Sequence, residues 1–344
     1  MKPPFRKKNR YFLDKFSQKY IKNYVLFSKK NFGSTSYQKN KSYLNELYDR
    51  SPYSNGYEDF SIIRCHDLPE KIVGCLHRLK AKLVHSSSCD TREVTALHNL
   101  MIDRGHYGCG YMLLSEALIR DPIFFVPGVI GELDNFYKKF AHSKIHATWF
   151  RRLILSNPLN TLKRFLRIPI SKVLIKKYRE NLQFKNLDLL IESDSMFDNL
   201  IKKDFDAIEG YRVTESFLKW RVFSNDINKV TRFVIHDGDG FISFAFGIRK
   251  NVPICRIIYS SIFSQQTSDI LISEVCMLSK KLGFPLILNA SDCCFIKQSC
   301  ITKNFKKIKN APKIYFCSKS KDNVHTKHWG LLGDYGFDEF SFKK

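Results

Sequence analysis

Two halves of the chain repeat the same order of hydrophobic and polar patterns. In the first half, a helix-type segment, "SYLNELYDRSPYSN", precedes "FSIIRCHDLPEKIVGCLHRLKAKLV", whose alternation predicts two strands around a turn. In the second half, the helix-type segment "ESFLKWRVFSND" precedes "VTRFVIHDGDGFISFAFGIRK". This second pair of strands surrounds residues 237–240, a strong signal for a hairpin turn. The order of elements therefore suggests an internal repeat.

The agreement continues to the end of each half. A short buried-type strand followed by a helix is predicted by "DPIFFVPGVIGELDNFYKKF" and by "FPLILNASDCCFIKQSCITKNF". The halves then close with the β-like segments "IHATWFRRLIL" and "KIYFCSKS". We predict an α/β protein with mixed sheets and two similar units; one continuous α/β domain is the alternative. The predicted limits are an extension over 1–40, units over 41–158 and 186–344, and a linker over 159–185.

The charge of the chain is strongly positive and unevenly distributed. Lys and Arg total 57 against 33 Asp and Glu, a formal net charge of +24. Such an excess favours polyanionic partners: nucleic acid, anionic lipid or phosphate-rich small molecules. Residues 1–42 hold twelve Lys/Arg and one acid, Asp14. We predict that this N-terminal extension contributes little to the core and binds anionic surfaces.

The predicted linker contains a second basic stretch, "LNTLKRFLRIPISKVLIKKYRENL", with seven Lys/Arg and no acid over residues 163–179. A basic amphipathic segment of this kind can lie on an anionic membrane surface. A linker helix packed on the body of the protein is the other interpretation. Under the first interpretation the protein is peripheral to the inner face of the membrane.

Cysteine usage indicates a cytoplasmic protein without a metal site. The ten cysteines include no CxxC pair and match no zinc-module spacing. We interpret them as reduced thiols. The N-terminal segment "MKPPFRKKNRYFLDKFSQKY" lacks the continuous apolar region of a secretory signal. No apolar run approaches the roughly 18–20 residues that a membrane span requires.

The segment "MIDRGHYGCGYMLLSEAL" places glycines at positions 105, 108 and 110, between a β-like run and a helical pattern. Glycine allows positive φ angles, so that backbone N–H groups can converge on one point. A helix that begins there adds its free N–H groups and its dipole. The segment matches neither GxGxxG nor GxxxxGK[ST]. It is either a cradle for a phosphate group or a turn that serves packing alone.

Together with the elements that follow, this segment resembles the GNAT superfamily of acyl-CoA-dependent N-acyltransferases. The matching pieces are "NLMIDRGHYGCGYMLL", "PIFFVPG" and "FYKKFAH". The resemblance covers residues 42–155 and, more faintly, 186–344. The second half has "IIYSSIFSQQTSDILISE" in place of a glycine turn, which predicts a degenerate copy that shapes the acceptor site. "ESFLKWRVFSND" and "HWGLLGDYGFDEF" resemble tandem GNAT-like proteins associated with cell-envelope polysaccharide synthesis.

The resemblance implies transfer of an acyl group from acyl-CoA, the co-substrate, to a neutral amine. A base aids that attack, and a backbone N–H stabilises the oxyanion. Tyr137 matches the tyrosine that protonates the leaving thiolate, and His98 on the preceding strand is a candidate base. Met101 or Ile102 would supply the backbone N–H. The pyrophosphate would be held by the backbones of Gly105, Gly108, Cys109 and Gly110.

The sequence leaves three hypotheses about the function open. The first is an N-acyltransferase acting on an amino sugar or another cell-envelope glycan precursor. The second is a Fem-like aminoacyl transferase that uses aminoacyl-tRNA, which the net charge of +24 would suit. The third is a non-catalytic nucleic-acid-binding protein, suggested by basic and aromatic residues in the N-terminal extension, although no nucleic-acid-binding module is recognisable.

Overall fold

The chain forms an α/β structure with two mixed sheets, and the predicted fold class is confirmed. The computed structural model describes residues 10–33, 41–129, 133–140, 143–145, 148–166, 168, 170, 188–189, 195–206, 210–223, 231–249, 251–291, 293–309, 311 and 313–318.

The helices and strands of the described residues follow the predicted alternation. The helices are α1 (Ile21–Phe32), α2 (Lys41–Tyr48), α3 (Cys109–Arg120), α4 (Leu133–Phe140), α5 (Pro158–Phe165), α6 (Ser195–Asp206), α7 (Glu215–Phe223), α8 (Gln265–Leu282) and α9 (Cys294–Thr302). The strands are β1 (Tyr11–Lys15), β2 (Phe60–Cys65), β3 (Leu68–His85), β4 (Thr91–Ile102), β5 (Ile123–Val129), β6 (Ser143–Ile145), β7 (Thr148–Leu153), β8 (Asp188–Leu189), β9 (Tyr211–Val213), β10 (Thr231–His236), β11 (Phe241–Arg249), β12 (Val252–Ser261), β13 (Leu286–Ser291), β14 (Lys306–Lys307) and β15 (Lys313–Ser318). Among these residues, no helix is both long enough and apolar enough to cross a lipid bilayer.

The two sheets exchange strands. The first sheet has the order β1-β2-β3-β4-β5-β15-β6, and β9 also pairs with β3. The second has the order β14-β7-β13-β12-β11-β10-β8. Strand β7 follows β6 in sequence but pairs with β13, and β15 follows β14 but pairs with β5. Each sheet therefore contains, next to its last parallel strand, an antiparallel strand from the other half of the chain.

A shared hydrophobic core lies between the two sheets. It joins Leu79 and Ala96 of the first sheet to Ala245 and Ile254 of the second, with Phe217 of α7 among them. Two further clusters cover the other faces of the sheets, one under α3 and α4 and one under α8 and α9. The limits predicted for the two units stay a prediction. The predicted boundary does not separate the two sheets, because β7 and β15 each pair in the sheet of the other half.

The expectation that the N-terminal extension stays outside the core is wrong. β1 pairs with β2 at the edge of the first sheet, and α1 packs with its aromatic face in the shared core. Tyr20, Tyr24 and Phe27 recur at helical spacing and are at most 5% exposed, whereas Lys22 and Lys29 are exposed. The net positive charge of the segment does not reveal this amphipathic pattern, because the lysines occupy only the solvent face of the helix. Residues 1–9 lie outside the described residues.

Candidate functional site

The predicted glycine turn joins the end of β4 to the start of α3. Gly105 and Gly108 have φ angles of +84° and +83°, a left-handed conformation that side-chain-bearing residues rarely adopt. Gly108 is the N-cap residue of α3. The glycines are therefore needed by the backbone path that connects the strand to the helix.

The N-terminus of α3 is uncapped and faces open space. No side chain of the described residues accepts a hydrogen bond from its first turn, and the first helical bond runs from the Met112 N–H to the Gly108 carbonyl at 3.1 Å. A Cβ atom added to Gly105 or Gly108 would meet no atom within 4 Å. The first N–H groups of a helix have no partner inside it. Here these donors and the positive end of the helix dipole are available to an anion.

Basic side chains surround this turn. Burial and the positive charge of Lys71 lower the pKa of His106, which belongs to the turn; Asp103 opposes this shift, and Arg10 and Lys30 add to it. Lys30 also forms an ion pair with the buried Asp103 at 2.6 Å. A cavity of about 340 Å³ adjoins Asp103 on the side of α1. The turn therefore combines backbone donors with a positive local potential, as a phosphate-binding site requires.

Strands β4 and β5 diverge beside the turn. They are parallel and pair only at Thr95 with Phe124 and at Ala96 with Phe125. β4 nevertheless continues to Ile102, and β5 continues to Val129. Beyond the two pairs, the strands leave a wedge between them that opens toward the N-terminal end of α3. An extended ligand can lie in such a wedge and pair with the free edge of β4.

A β-bulge lies in β4 at this wedge. His98 pairs with His77 and Met101 with Cys75, so two residues of β4 face one residue of β3. Asn99 takes a φ of +54° within the bulge, which asparagine tolerates better than most residues. The Cys75 thiol donates to the Asn99 carbonyl at 3.5 Å. Sequence reasoning missed Asn99, although an asparagine inside a strongly β-type run is itself a signal for a bulge.

The bulge decides which predicted backbone group faces the wedge. The Asp103 N–H donates to the Val73 carbonyl of β3 at 2.8 Å. N–H groups of successive residues point to opposite sides of a strand, so the N–H of Ile102 points away from β3, toward β5. Met101 pairs with Cys75 of β3 and packs in the shared core. Of the two predicted donors, Ile102 has the required direction.

Tyr137, Ile102 and Cys109 share the hydrophobic cluster under α3 and α4. The ring of Tyr137 stacks on Tyr315 of the exchanged strand β15, with centroids 6.0 Å apart. Burial raises the pKa of Tyr137, so its hydroxyl stays protonated at neutral pH. The structure thus brings the predicted proton donor to the same face of the first sheet as the glycine turn.

Cys109 is fully buried, and burial raises the pKa of its thiol. A raised pKa disfavours the thiolate. His106, which could have formed a dyad with it, has its Nδ1 3.1 Å from the Tyr11 hydroxyl. The structure therefore gives no support to a nucleophilic cysteine, and the Cys109 side chain packs in the cluster under α3 and α4.

His98 lies on the opposite face of the first sheet, in a buried polar network. Its ring stacks on that of His77 at 5.6 Å, and its Nδ1 lies 3.3 Å from the Asn99 side-chain nitrogen. Burial and the positive charge of Arg221 lower the pKa of His98 to about 3. A group with this pKa is neutral at pH 7 but accepts a proton poorly, which argues against the predicted role as base. Its neighbour His77 is held between the hydroxyls of Tyr24 and Tyr48 at 2.8 and 2.7 Å.

The second half also has a short parallel strand pair followed by a helix, but the N-terminus of that helix is capped. β12 and β13 also pair in parallel over three residues only, and β12 has an irregularity at Ile258. However, the Ser264 side chain caps α8 by accepting from the Thr267 N–H at 3.1 Å. The side-chain amide of Gln265 donates to the Ser299 hydroxyl of α9 at 2.8 Å. At α8 the capping serine therefore occupies the Thr267 N–H, whereas the described residues provide no such side-chain acceptor at α3.

Comparisons with known proteins identify the fold. No protein-family model matches the sequence, and the search of curated proteins found no match. Among solved structures, Saccharomyces cerevisiae N-myristoyltransferase with bound myristoyl-CoA is similar, with a TM-score of 0.60 and 13% identity over 92% of this chain and 85% of that chain. A GCN5-related N-acetyltransferase from Anabaena variabilis has a TM-score of 0.53 and 12% identity over 89% of this chain and 72% of that chain.

A GCN5-related N-acetyltransferase from Kribbella flavida is similar to the same extent, with a TM-score of 0.54 and 10% identity over 89% of this chain and 70% of that chain. At these identities the likeness concerns the fold. The chain therefore has the GNAT-type α/β fold that these acyltransferase structures share.

Proposed function

We propose that the protein is an acyl-CoA-dependent N-acyltransferase whose active site is the wedge between β4 and β5. The observation that carries this proposal is the open, uncapped N-terminus of α3 behind a left-handed glycine turn, at the point where the two strands diverge. The equivalent helix α8 is capped by its own serine. The similarity to a myristoyl-CoA-bound structure supports the same class of co-substrate.

In this proposal the co-substrate is held mainly by the backbone. The N–H groups of Gly108, Cys109 and Gly110 bind the pyrophosphate, Gly105 provides the left-handed turn before them, and Lys30 and Lys71 add positive charge nearby. The thioester lies along β4, where the Ile102 N–H can donate to the oxyanion of the tetrahedral intermediate.

Proton transfers in the proposed reaction are assigned by burial. Tyr137 stays protonated and can donate a hydrogen bond to the leaving thiolate from the face that carries α3. His98 is neutral and lies on the other face, so we propose that it supports the bulge. The amine proton then passes to solvent water, and the leaving thiolate is protonated from the Tyr137 side. Because neutral amine is the nucleophile, the reaction should be faster at alkaline pH.

The acceptor we propose is an amino sugar or another cell-envelope glycan precursor. Its support is the resemblance of "ESFLKWRVFSND", which forms α7, and of "HWGLLGDYGFDEF", which lies outside the described residues. A Fem-like reaction with aminoacyl-tRNA is the second candidate, supported by the net charge of +24.

The substitution that tests the site is Gly110→Val. Gly110 lies in the first turn of α3, and a Cβ there would meet only Ile102, at 3.6 Å, so the valine adds bulk to the cradle without a backbone clash. In titrations with acetyl-CoA and myristoyl-CoA, we expect the affinity of this variant to fall about tenfold or more, from one or two lost charge-assisted hydrogen bonds. Tyr137→Phe should bind as the unmodified protein does and turn over more slowly.

The matched control is Gln266→Val, at the equivalent position of the capped helix α8, which should leave the affinity unchanged. Equal effects of the two valine substitutions, or no binding of either thioester to the unmodified protein, would reject the proposed site. Binding of aminoacyl-tRNA without binding of CoA esters would favour the second candidate.

A further inference from the structure

Helix α5 turns its apolar side chains outward and an arginine inward. Leu159, Leu162 and Phe165 are 62%, 56% and 49% exposed. Arg164 is 3% exposed, and its guanidinium donates to the Ile168 carbonyl at 2.5 Å. A surface helix of a soluble domain normally has the opposite arrangement. The packing of α5 on the body does not use its apolar face.

The exposed apolar side chains continue along the chain from the end of β7 through α5. We define the α5 surface as Leu153, Leu155, Leu159, Leu162, Phe165, Leu166 and Ile168. These seven are among sixteen large hydrophobic side chains that are exposed in the described part of the chain, so apolar exposure is concentrated here. Concentrated apolar exposure of this kind marks an interaction surface, whereas single exposed residues do not.

α5 is held firmly in this orientation. The Asn157 side chain caps it by accepting from the Asn160 N–H at 3.0 Å, and the Asn160 amide donates to the Lys281 carbonyl of α8 at 2.7 Å. Gly283, after α8, approaches the backbone of Asn160 so closely that no Cβ would fit. The outward face of α5 is therefore a fixed feature of the fold.

The charge around the α5 surface is positive. Residues 148–166, which form β7 and α5, contain four Lys/Arg and no acid, and residues 293–309, which lead into and form β14, contain five Lys/Arg and no acid. The pairing of β7 with β14 brings the two stretches together, with Arg151 opposite Lys306. Lys163 of α5 adds a further charge beside the leucines. Apolar side chains with basic neighbours match the interfacial region of an anionic bilayer.

We propose that the α5 surface docks the protein on an anionic lipid surface. Its leucines and phenylalanine enter the interfacial region while the nearby Arg and Lys side chains contact lipid phosphates. The acid-free sequence on both paired stretches favours lipid over a protein partner, because a protein interface would place acceptor residues opposite particular cations, whereas a lipid surface attracts all of them.

The test is cosedimentation of the full chain with vesicles of phosphatidylcholine alone or mixed with phosphatidylglycerol. The triple variant Leu159→Ser, Leu162→Ser, Phe165→Ser should partition into mixed vesicles about tenfold or more weakly than the unmodified protein. The control triple Leu68→Ser, Ile119→Ser, Ile301→Ser removes equally exposed apolar side chains elsewhere and should bind as the unmodified protein does.

Two double variants that reverse charges complete the test. Arg151→Glu with Lys163→Glu should weaken binding to mixed vesicles and reduce its dependence on salt, while Arg120→Glu on α3 with Lys202→Glu on α6 should not. Circular dichroism and melting curves establish that the variants are folded. Equal binding to neutral and mixed vesicles, or equal loss in both triple variants, would overturn the proposal. So would a dimer in sedimentation velocity that the α5 triple variant dissociates while vesicle binding is unchanged.

Discussion

Glu274 of α8 shows how a single residue limits the stability of this fold. Its side chain is 0% exposed, and neither carboxylate oxygen has a hydrogen-bond partner among the described residues. Burial raises its pKa to about 6, and Lys281 only partly offsets that shift. A buried, unpaired carboxylate favours its neutral form, so the folded state holds the Glu274 proton more tightly than the unfolded chain does.

This difference predicts a pH dependence of stability. Below the ordinary glutamate pKa, both states are protonated and the pH-dependent penalty is absent; as pH rises toward 6, the unfolded state ionises first and stability is lost. Glu274→Gln should therefore be more stable than the unmodified protein at pH 7, by about 1 kcal/mol after allowance for solvent screening, with no difference near pH 4.

Urea unfolding between pH 4 and pH 8 measures this difference. Glu93→Gln, at an exposed position of β4, is the control and should follow the unmodified protein throughout. A destabilised Glu274→Gln at pH 7 would show that the carboxylate has a favourable partner.

At the scale of elements, the contact between α5 and the end of α8 determines how the linker joins the second sheet. Gly283 terminates α8 with a φ of +85°, and its Cα faces the first turn of α5. An added Cβ would lie within about 2.5 Å of the Thr161 nitrogen, which is backbone and cannot rotate away. The two helices therefore approach as closely as a glycine permits.

Gly283→Ala should destabilise the protein by about 2–4 kcal/mol, from left-handed strain together with overpacking against α5. Gly56→Ala is the comparison, because Gly56 has a φ of +68° and no atom within 4 Å of an added Cβ. It should cost about 1 kcal/mol, from strain alone. Chemical denaturation gives both values, and equal losses would show that α5 moves aside at no cost.

At the scale of the whole molecule, the exchange of β7 and β15 connects the two halves. β15 lies between β5 and β6 in the sheet that carries the glycine turn, and its Tyr315 packs against Tyr137. β7 lies between β13 and β14 in the second sheet. Each half thus requires a strand from the other to complete its sheet.

This exchange predicts that neither half folds alone. Residues 1–158 should be unfolded or aggregated when expressed by themselves, because the first sheet lacks β15 and β7 has no partner. Coexpression with residues 159–344 should restore a folded complex, and the intact chain should melt in a single calorimetric transition. Independent cooperative unfolding of the 1–158 fragment would contradict the prediction.

The sequence by itself determined the order of elements, the fold class and the position of the glycine turn. Periodicity and turn chemistry are local properties, and here the local preferences agree with the final structure. The turn at Gly105 and Gly108 was identifiable because few other residues adopt its backbone conformation. The amphipathic pattern of α1 was also present in the sequence, but the positive charge of the segment obscured it.

Only the tertiary structure decided which sheet each closing strand joins, which side of β4 each site residue faces, and which face of α5 is exposed. Strand exchange depends on pairing between segments far apart in sequence, and periodicity contains no information about the partner. The bulge at Asn99 shifts the alternation of β4 by one residue, so that Ile102 faces α3 and His98 the shared core. The outward leucines of α5 follow from its fixed contact with α8, which a helical pattern alone does not specify.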